Sequence, residues 1–182
     1  MTCEMTPREN TALSAGGSSI SPLARWYATY TCARHEKHVR KQLEERGISC
    51  FLPLYRSVRR WKDRQKELEL ALFPGYVFVH IGPEERLRVL QTPSVVRFVC
   101  FSGYPAALDD GEIESLRSGI ANSARVKPYP YRQVGRKVHV KYGPLAGIEG
   151  ILVRTKEKLR VVLSIDLIMR SVAVEVDAAD LE

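Results

Sequence analysis

The chain has 182 residues and a formal net charge of +7, enough mass for one or two small domains with cores of their own. No apolar run approaches the ~18 residues a bilayer span requires, and no apolar segment follows the N-terminal charges as a secretory leader would; the expectation is a soluble cytoplasmic protein with no membrane partner. Four cysteines without a CxxC or a pairing rhythm are expected as free thiols of a reducing compartment. The charge is unevenly spread: residues 25–66 hold 12 basic against 4 acidic groups, an excess that suits a polyanion or else forms a solvated face.

Residues 1–24 are rich in Thr, Ser, Gly and Ala without periodicity and are expected to be a disordered leader. Trp26–Thr31 is β-branched and aromatic and predicts a strand. Over residues 34–46 the period becomes helical: Val39 and Leu43 share one stripe, Arg34, Lys37, His38 and Lys41 the opposite one, and Gly47 stands at the C′ position. Ile48–Tyr55 returns to strand, and Arg56–Lys66 is a basic reach containing Trp61, expected as a hairpin.

Leu72–Val79 is apolar on both parities and is expected to be the central strand of the first domain, with Phe73, Val77, Val79 and Ile81 on one side and Tyr76, Phe78 and His80 on the other. A short helix after Gly82-Pro83 is expected to bury Leu87 and Leu90. Val95–Phe101 is a further strand, Asp109 with Glu112 resembles a capping box, and the helix behind it is expected to bury Ile113, Leu116 and Ile120. Residues 122–133, with Pro128-Tyr129-Pro130, are expected as a linker. Beyond Val134, short β-type runs split by glycines and charged turns suggest a small barrel. Hairpin-joined strands in the first block favour an antiparallel sheet.

Four stretches resemble the NusG family of transcription factors: Trp26-Tyr27; Leu72-Phe73-Pro74-Gly75-Tyr76-Val77-Phe78-Val79; Pro93-Ser94-Val95-Val96-Arg97-Phe98-Val99; and Gly135-Arg136-Lys137-Val138 through Gly147-Ile148-Glu149-Gly150, which is similar to the KOW motif. The resemblance implies an α+β chain: an N-terminal NusG-type domain at 25–121, with a mostly antiparallel four-stranded sheet and about three helices, then the linker and a KOW SH3-like β-barrel at 134–182. The Trp-Tyr-Ala-x-Tyr-Thr opening and the Arg34-His35-Glu36-Lys37 helix start are most similar to the specialised paralogues of the RfaH and UpxY type, which implies antitermination of specific long operons.

The family's contact with the clamp coiled coil of RNA polymerase implies a docking role for Trp26, Tyr27, Phe73, Pro74, Gly75, Tyr76 and Phe78, with Tyr76 and Phe78 the rings expected to stay open. Contact with the non-template DNA strand of the transcription bubble is implied for Arg34, His35, Lys37, His38, Arg40 and Lys41. The hairpin residues Arg59, Arg60, Lys62 and Arg64 are also expected to bind nucleic acid, projecting toward the upstream duplex or the opposite side of the cleft. Leu145, Ile148, Leu167, Ile168 and Met169 are expected as the KOW partner surface, toward a ribosomal protein or Rho. The family's phenylalanine near Ile168 is absent, and the valines at 161, 162, 172, 174 and 176 favour strands over a helical form.

Other classes were weighed. Cys32, His35 and His38 have no fourth ligand at a recognised spacing, no phosphate-binding glycine loop occurs, and no metal, cofactor or catalysis is expected. A general housekeeping NusG factor and a ribosome- or RNA-binding KOW protein are the alternatives. A monomer is expected.

Overall fold

In the computed structural model, residues 23–60, 65–122, 126–129, 136–155 and 158–176 are described. The first sheet has the order β2-β5-β1-β6, and β9 also pairs with β1. Its strands are β1 (Arg25–Thr31), β2 (Ser49–Phe51) and β5 (Tyr76–Ile81), with β6 (Val95–Phe98) and β9 (Ala107–Leu108) further along the chain. Every pairing is antiparallel. Among the described residues, the intervening β3 (Leu54–Arg60) and β4 (Gln65–Ala71) pair only with each other, and β7 (Cys100–Phe101) forms a small arm with β8 (Tyr104–Pro105).

The two faces of the first sheet belong to two cores. One holds Tyr27, Val77, Val79, Ile81 and Phe98 beneath Val39, Leu43 and Val89. Val39 and Leu43 lie four apart on α1 (Glu36–Glu45), so one helical stripe covers this face. The helix starts two residues later than its pattern suggests, because Arg34 has φ 65°, a left-handed conformation that no helix can begin with. It ends where expected: Gly47 has φ 73° and the Ile48 N–H reaches back to the Leu43 carbonyl at 2.9 Å. The second helix, α2 (Arg86–Leu90), buries Val89 rather than the expected Leu87 and Leu90, which are exposed. A 3₁₀ turn at Pro83–Glu85 precedes it; three residues per turn instead of 3.6 rotate the phase of so short a helix.

The opposite face carries Trp26, Ala28, Phe73 and Phe78 beneath Ile113 and Leu116 of α3 (Asp110–Asn122). Phe73 therefore shares a face with Phe78, not with Val77 as strand alternation required. The strand begins only at Tyr76, and Gly75 turns the chain at φ 84°, which resets the parity before the strand starts. Arg117 fixes α3 on this face, its guanidinium carbon 4.7 Å from the Trp26 ring centroid and 5.0 Å from that of Phe51, within cation–π range. The Asp109 carboxylate accepts from the Gly111 N–H at 2.7 Å. Glu112 accepts from the backbone of Asp166.

The C-terminal sheet is antiparallel with the order β10-β14-β13-β12-β11, consistent with the expected KOW, SH3-like module. Its strands are β10 (Val126–Tyr129), β11 (Arg136–His139), β12 (Glu149–Thr155), β13 (Lys158–Ile165) and β14 (Arg170–Val176). β10 lies inside the stretch expected as linker. Pro128 is tolerated there because β10 is at the end of the sheet, where a missing N–H breaks no inner ladder. The core of this sheet is continuous with the Trp26–Phe78 face through α3, since Val138, Val140, Ile148, Leu163 and Val174 belong to the same buried cluster. Gly119 permits the approach: a Cβ there would lie 2.9 Å from Leu163 Cδ1 and 3.4 Å from Val174 Cγ2. Ile120, expected in the core, is half-buried while Gly119 is buried.

Candidate docking and nucleic-acid surfaces

The turn leading into β5 is held in part by hydrogen bonds from outside it. The Gly75 N–H donates to Oε1 of the buried Glu36 at 2.7 Å. The Thr31 N–H donates to the Gly75 carbonyl at 2.8 Å, and the Tyr76 N–H to the Phe73 carbonyl at 3.1 Å. One carboxylate at the start of α1 thus holds the turn that presents Pro74 and Tyr76. The charge of Glu36 is spent on a backbone donor, a charge-assisted bond of the stronger kind.

Of the residues expected to dock a partner, Trp26, Phe73, Tyr76 and Phe78 share one face, and Tyr27 lies on the other. Tyr27 packs edge-on against Phe98 at 6.0 Å and its hydroxyl accepts from Arg86 at 3.2 Å. Phe78, expected to stay open, is fully buried against Phe51 and Phe73, because α3 covers this part of the sheet. Trp26 lies beside His80, their ring centroids 5.0 Å apart and tilted by 40°, with the Arg117 guanidinium over its ring. What reaches solvent is the end of the same face beyond α3: Pro74 is exposed, Tyr76 is half-buried, and Tyr30 is 41% exposed.

Tyr30 was missed by motif reading. It sits opposite Tyr76 in the strand register, meets it edge-to-face at 5.5 Å, and lies 3.3 Å from where a Gly75 Cβ would be. Its signal was parity: Trp26, Ala28 and Tyr30 alternate onto one face of β1.

The basic residues before and along α1 are solvent-facing, with Arg34, His35, Lys37, His38 and Lys41 exposed and Arg40 half-buried. Their charge is partly countered. Lys37 pairs with Glu69 at 3.4 Å, Arg40 with Glu44 at 3.5 Å and Lys41 with Glu45 at 3.8 Å. Exposed pairs of this kind are worth about 0–1 kcal/mol, so a phosphate can displace the carboxylate at little cost. His38 is hydrogen-bonded to Gln42 at 2.9 Å, and His35 Nδ1 to Ser94 Oγ at 2.8 Å. Among the described residues, no group of three or more His, Cys, Asp or Glu side chains is placed to hold a metal.

The β3–β4 hairpin sets Arg56 opposite Glu69 and Val58 opposite Glu67, and Arg56 pairs with Glu67 at 3.8 Å. Arg59 and Arg60 lie on β3; Trp61, Lys62 and Arg64 lie outside the described residues. In the C-terminal module, Leu145, Ile148 and Ile168 are buried, Leu167 is half-buried and Met169 is exposed at a left-handed φ of 49°. Ile148 faces α3, its Cδ1 3.9 Å from a Cβ at Gly119. The expected partner surface is thus mostly inside this packed arrangement.

A groove of about 820 Å³ runs between the start of α3 and the C-terminal sheet, lined by Asp109, Glu112, Lys137, His139, Glu149 and Asp166 among others. Burial, then the charges of Asp166 and Asp109, raise the Glu112 carboxyl above its ordinary range against the lowering effect of the Asp166 backbone bond. Cys32, Cys50 and Cys100 are free thiols; burial, with Glu44 beside it, pushes Cys50 up to about 11.

An α+β domain with a part-open aromatic face beside a basic helix, joined to a small antiparallel β-module, defines a two-module factor whose conspicuous surfaces suit macromolecules. The family model described as transcription termination factor nusG matches residues 24–117, and the chain belongs to the NusG family. It is 28% identical over 172 residues to the transcription termination/antitermination protein NusG of Pseudomonas aeruginosa, covering 87% of this chain and 97% of that one. It is 29% identical over 173 residues to the protein of the same name from Staphylococcus carnosus, covering 87% and 94%. A solved structure concerned with domain interaction in Thermotoga maritima NusG shares the fold, with a TM-score of 0.53, 23% identity and coverage of 87% and 96%. No helix among the described residues is long and apolar enough to cross a membrane.

Proposed function

We propose that this chain is a NusG-type transcription elongation and antitermination factor that acts by binding RNA polymerase rather than by catalysis. Family membership supports the reading, and one observation carries the site: the aromatic face of β1 and β5 is covered by α3 at Trp26 and Phe78 but open at Tyr30, Pro74 and Tyr76. Tyrosines of this kind supply large contact area at low entropic cost, which suits the surface of a helical coiled coil such as the polymerase clamp. The basic start of α1, on the same side of the chain as the Glu36-held turn, would follow the non-template strand of the bubble through phosphate contacts.

The C-terminal module would serve as an adaptor toward a ribosomal protein or Rho, with Met169 and Leu167 the accessible part of its surface. Action in the cytoplasm as a monomer on specific long operons completes the proposal, by likeness of the Trp26–Thr31 opening to the specialised paralogues. Retention of RNA polymerase on the immobilised chain tests the core of it: Tyr76→Ala should lose most of the retained polymerase. Equal retention by the variant, or binding of free ribosomal RNA without polymerase, would overturn it. Genome-wide occupancy tests the specialised reading, which a signal over nearly all transcribed genes would refute.

A further inference from the structure

The β7–β8 arm displays Phe101 and Tyr104 at 75% and 77% exposure, directly opposite each other across the hairpin. Both turn residues between them have positive φ, Ser102 at 50° and Gly103 at 86°, the backbone of a type I′ turn that matches strand twist and stiffens a short hairpin. Among the described residues the ring–ring contacts involve neither side chain. Two rigidly mounted rings thus offer open π-faces, although a soluble protein normally buries such groups.

The arm leaves the sheet at Val99, whose N–H donates to the Ala28 carbonyl at 2.8 Å. It continues β6, which ends the sheet path and exposes Val96 and Arg97. The turn before β6 is tied to the basic start of α1: the Cys32 N–H donates to the Ser94 carbonyl at 2.9 Å, beside the His35–Ser94 contact. β6 thus runs from the Ser94 turn beside Arg34 and His35, past the exposed Arg97, to the arm that carries the two rings. Residues 86–108 contain no acidic residue; of their three arginines, Arg97 lies on this edge, while Arg86 is bonded to the Tyr27 hydroxyl and Arg88 to the Arg46 carbonyl. A basic track ending in open aromatic faces is the arrangement that holds single-stranded nucleic acid, the phosphates on the cations and the bases on the rings.

We propose that Phe101 and Tyr104 stack bases of a single nucleic-acid strand whose phosphates lie on the start of α1 and the edge of β6. This rests on the nucleic-acid reading of α1 above and adds to it a base-contacting arm. A pair of stacking rings is tolerant of sequence, because every base has a π-face.

The test is fluorescence anisotropy of a labelled oligothymidine of about 12 nucleotides, inside the roughly 4–16 that single-strand sites span, titrated with the full chain at several salt concentrations. The double variant Phe101→Ala, Tyr104→Ala should weaken binding by at least roughly 30-fold, about 5-fold or more for each ring, and leave the salt slope unchanged, since no charge is removed. Phe101→Tyr and Tyr104→Phe should keep the affinity. Arg34→Gln with Lys41→Gln should lower both affinity and slope. An unchanged affinity in the double alanine variant overturns the stacking role while leaving the basic face standing. Absence of salt-sensitive binding by the native chain overturns both. Loss of RNA polymerase retention with unchanged oligonucleotide affinity would assign the arm to a protein contact and overturn the proposal.

Discussion

Gly119→Ala separates two effects that act on different states of the molecule. Within α3, alanine in place of glycine favours the helix by about 1 kcal/mol. Against the C-terminal sheet the new methyl lies 2.9 Å from Leu163 Cδ1 and 3.4 Å from Val174 Cγ2, inside the roughly 3.5–4.0 Å of a relaxed carbon contact. Leu163 is a side-chain end, but it is 3% exposed and hemmed by the same cluster, so its freedom to move aside is small. Overpacking of this kind costs about 1–3 kcal/mol. The helix gain remains when α3 and the C-terminal sheet part, whereas the strain is felt only when they are packed. The packed-to-separated ratio should therefore fall by roughly 5- to 150-fold. Small-angle scattering should report a larger radius of gyration, and amide exchange should quicken at Leu163 and Val174. An unchanged radius together with a gain of about 1 kcal/mol in urea unfolding would show that Leu163 yields freely and that the close approach at Gly119 does not govern the contact.

Further outcomes follow from the same geometry. Glu36→Ala leaves the buried Gly75 N–H without its acceptor, which should cost about 1–3 kcal/mol in denaturant unfolding; Glu36→Gln, retaining an oxygen, should recover most of it, and equal losses in the two variants would count against the bond. The Glu112 carboxyl is raised above 4.5 in the folded chain, so the folded state holds that proton more tightly than the unfolded one. Its contribution to stability is fully present below the unfolded value and is lost as pH rises through the higher folded value; Glu112→Gln should flatten this part of the stability–pH profile, and an unaltered slope would refute the assignment. Cys50, pushed up to about 11 by burial first and Glu44 second, should resist iodoacetamide at pH 8 while the exposed Cys32 and Cys100 alkylate; mass spectrometry showing Cys50 labelled first would contradict its burial.

The local pattern was sufficient wherever one periodicity ran unbroken. Val39 and Leu43 specify which side of α1 is buried, the β-branched and aromatic run at Trp26–Thr31 specifies β1, and the short valine-rich runs specify the C-terminal strands, because 3.6 and 2.0 residue periods are properties of the chain itself. The candidate docking face was legible as a motif but not as a surface. Phe73 could not be assigned its side because a single glycine turn at 75 inverts parity, and Phe78 could not be assigned its burial because α3, which covers it, arrives thirty-odd residues later in the chain.

Sequence alone placed the three helices, β1 and an all-β C-terminal part, and determined the basic and apolar sides of α1 and the family. Tertiary structure alone decided what each exposed-looking residue meets. It seated β10 with its proline at a sheet edge, turned Leu87 and Leu90 outward, and packed Ile148 toward α3 through the gap at Gly119. It also left Tyr30, Phe101 and Tyr104 uncovered. Burial depends on neighbours distant in sequence, and no local periodicity encodes which distant element will lie across a given face.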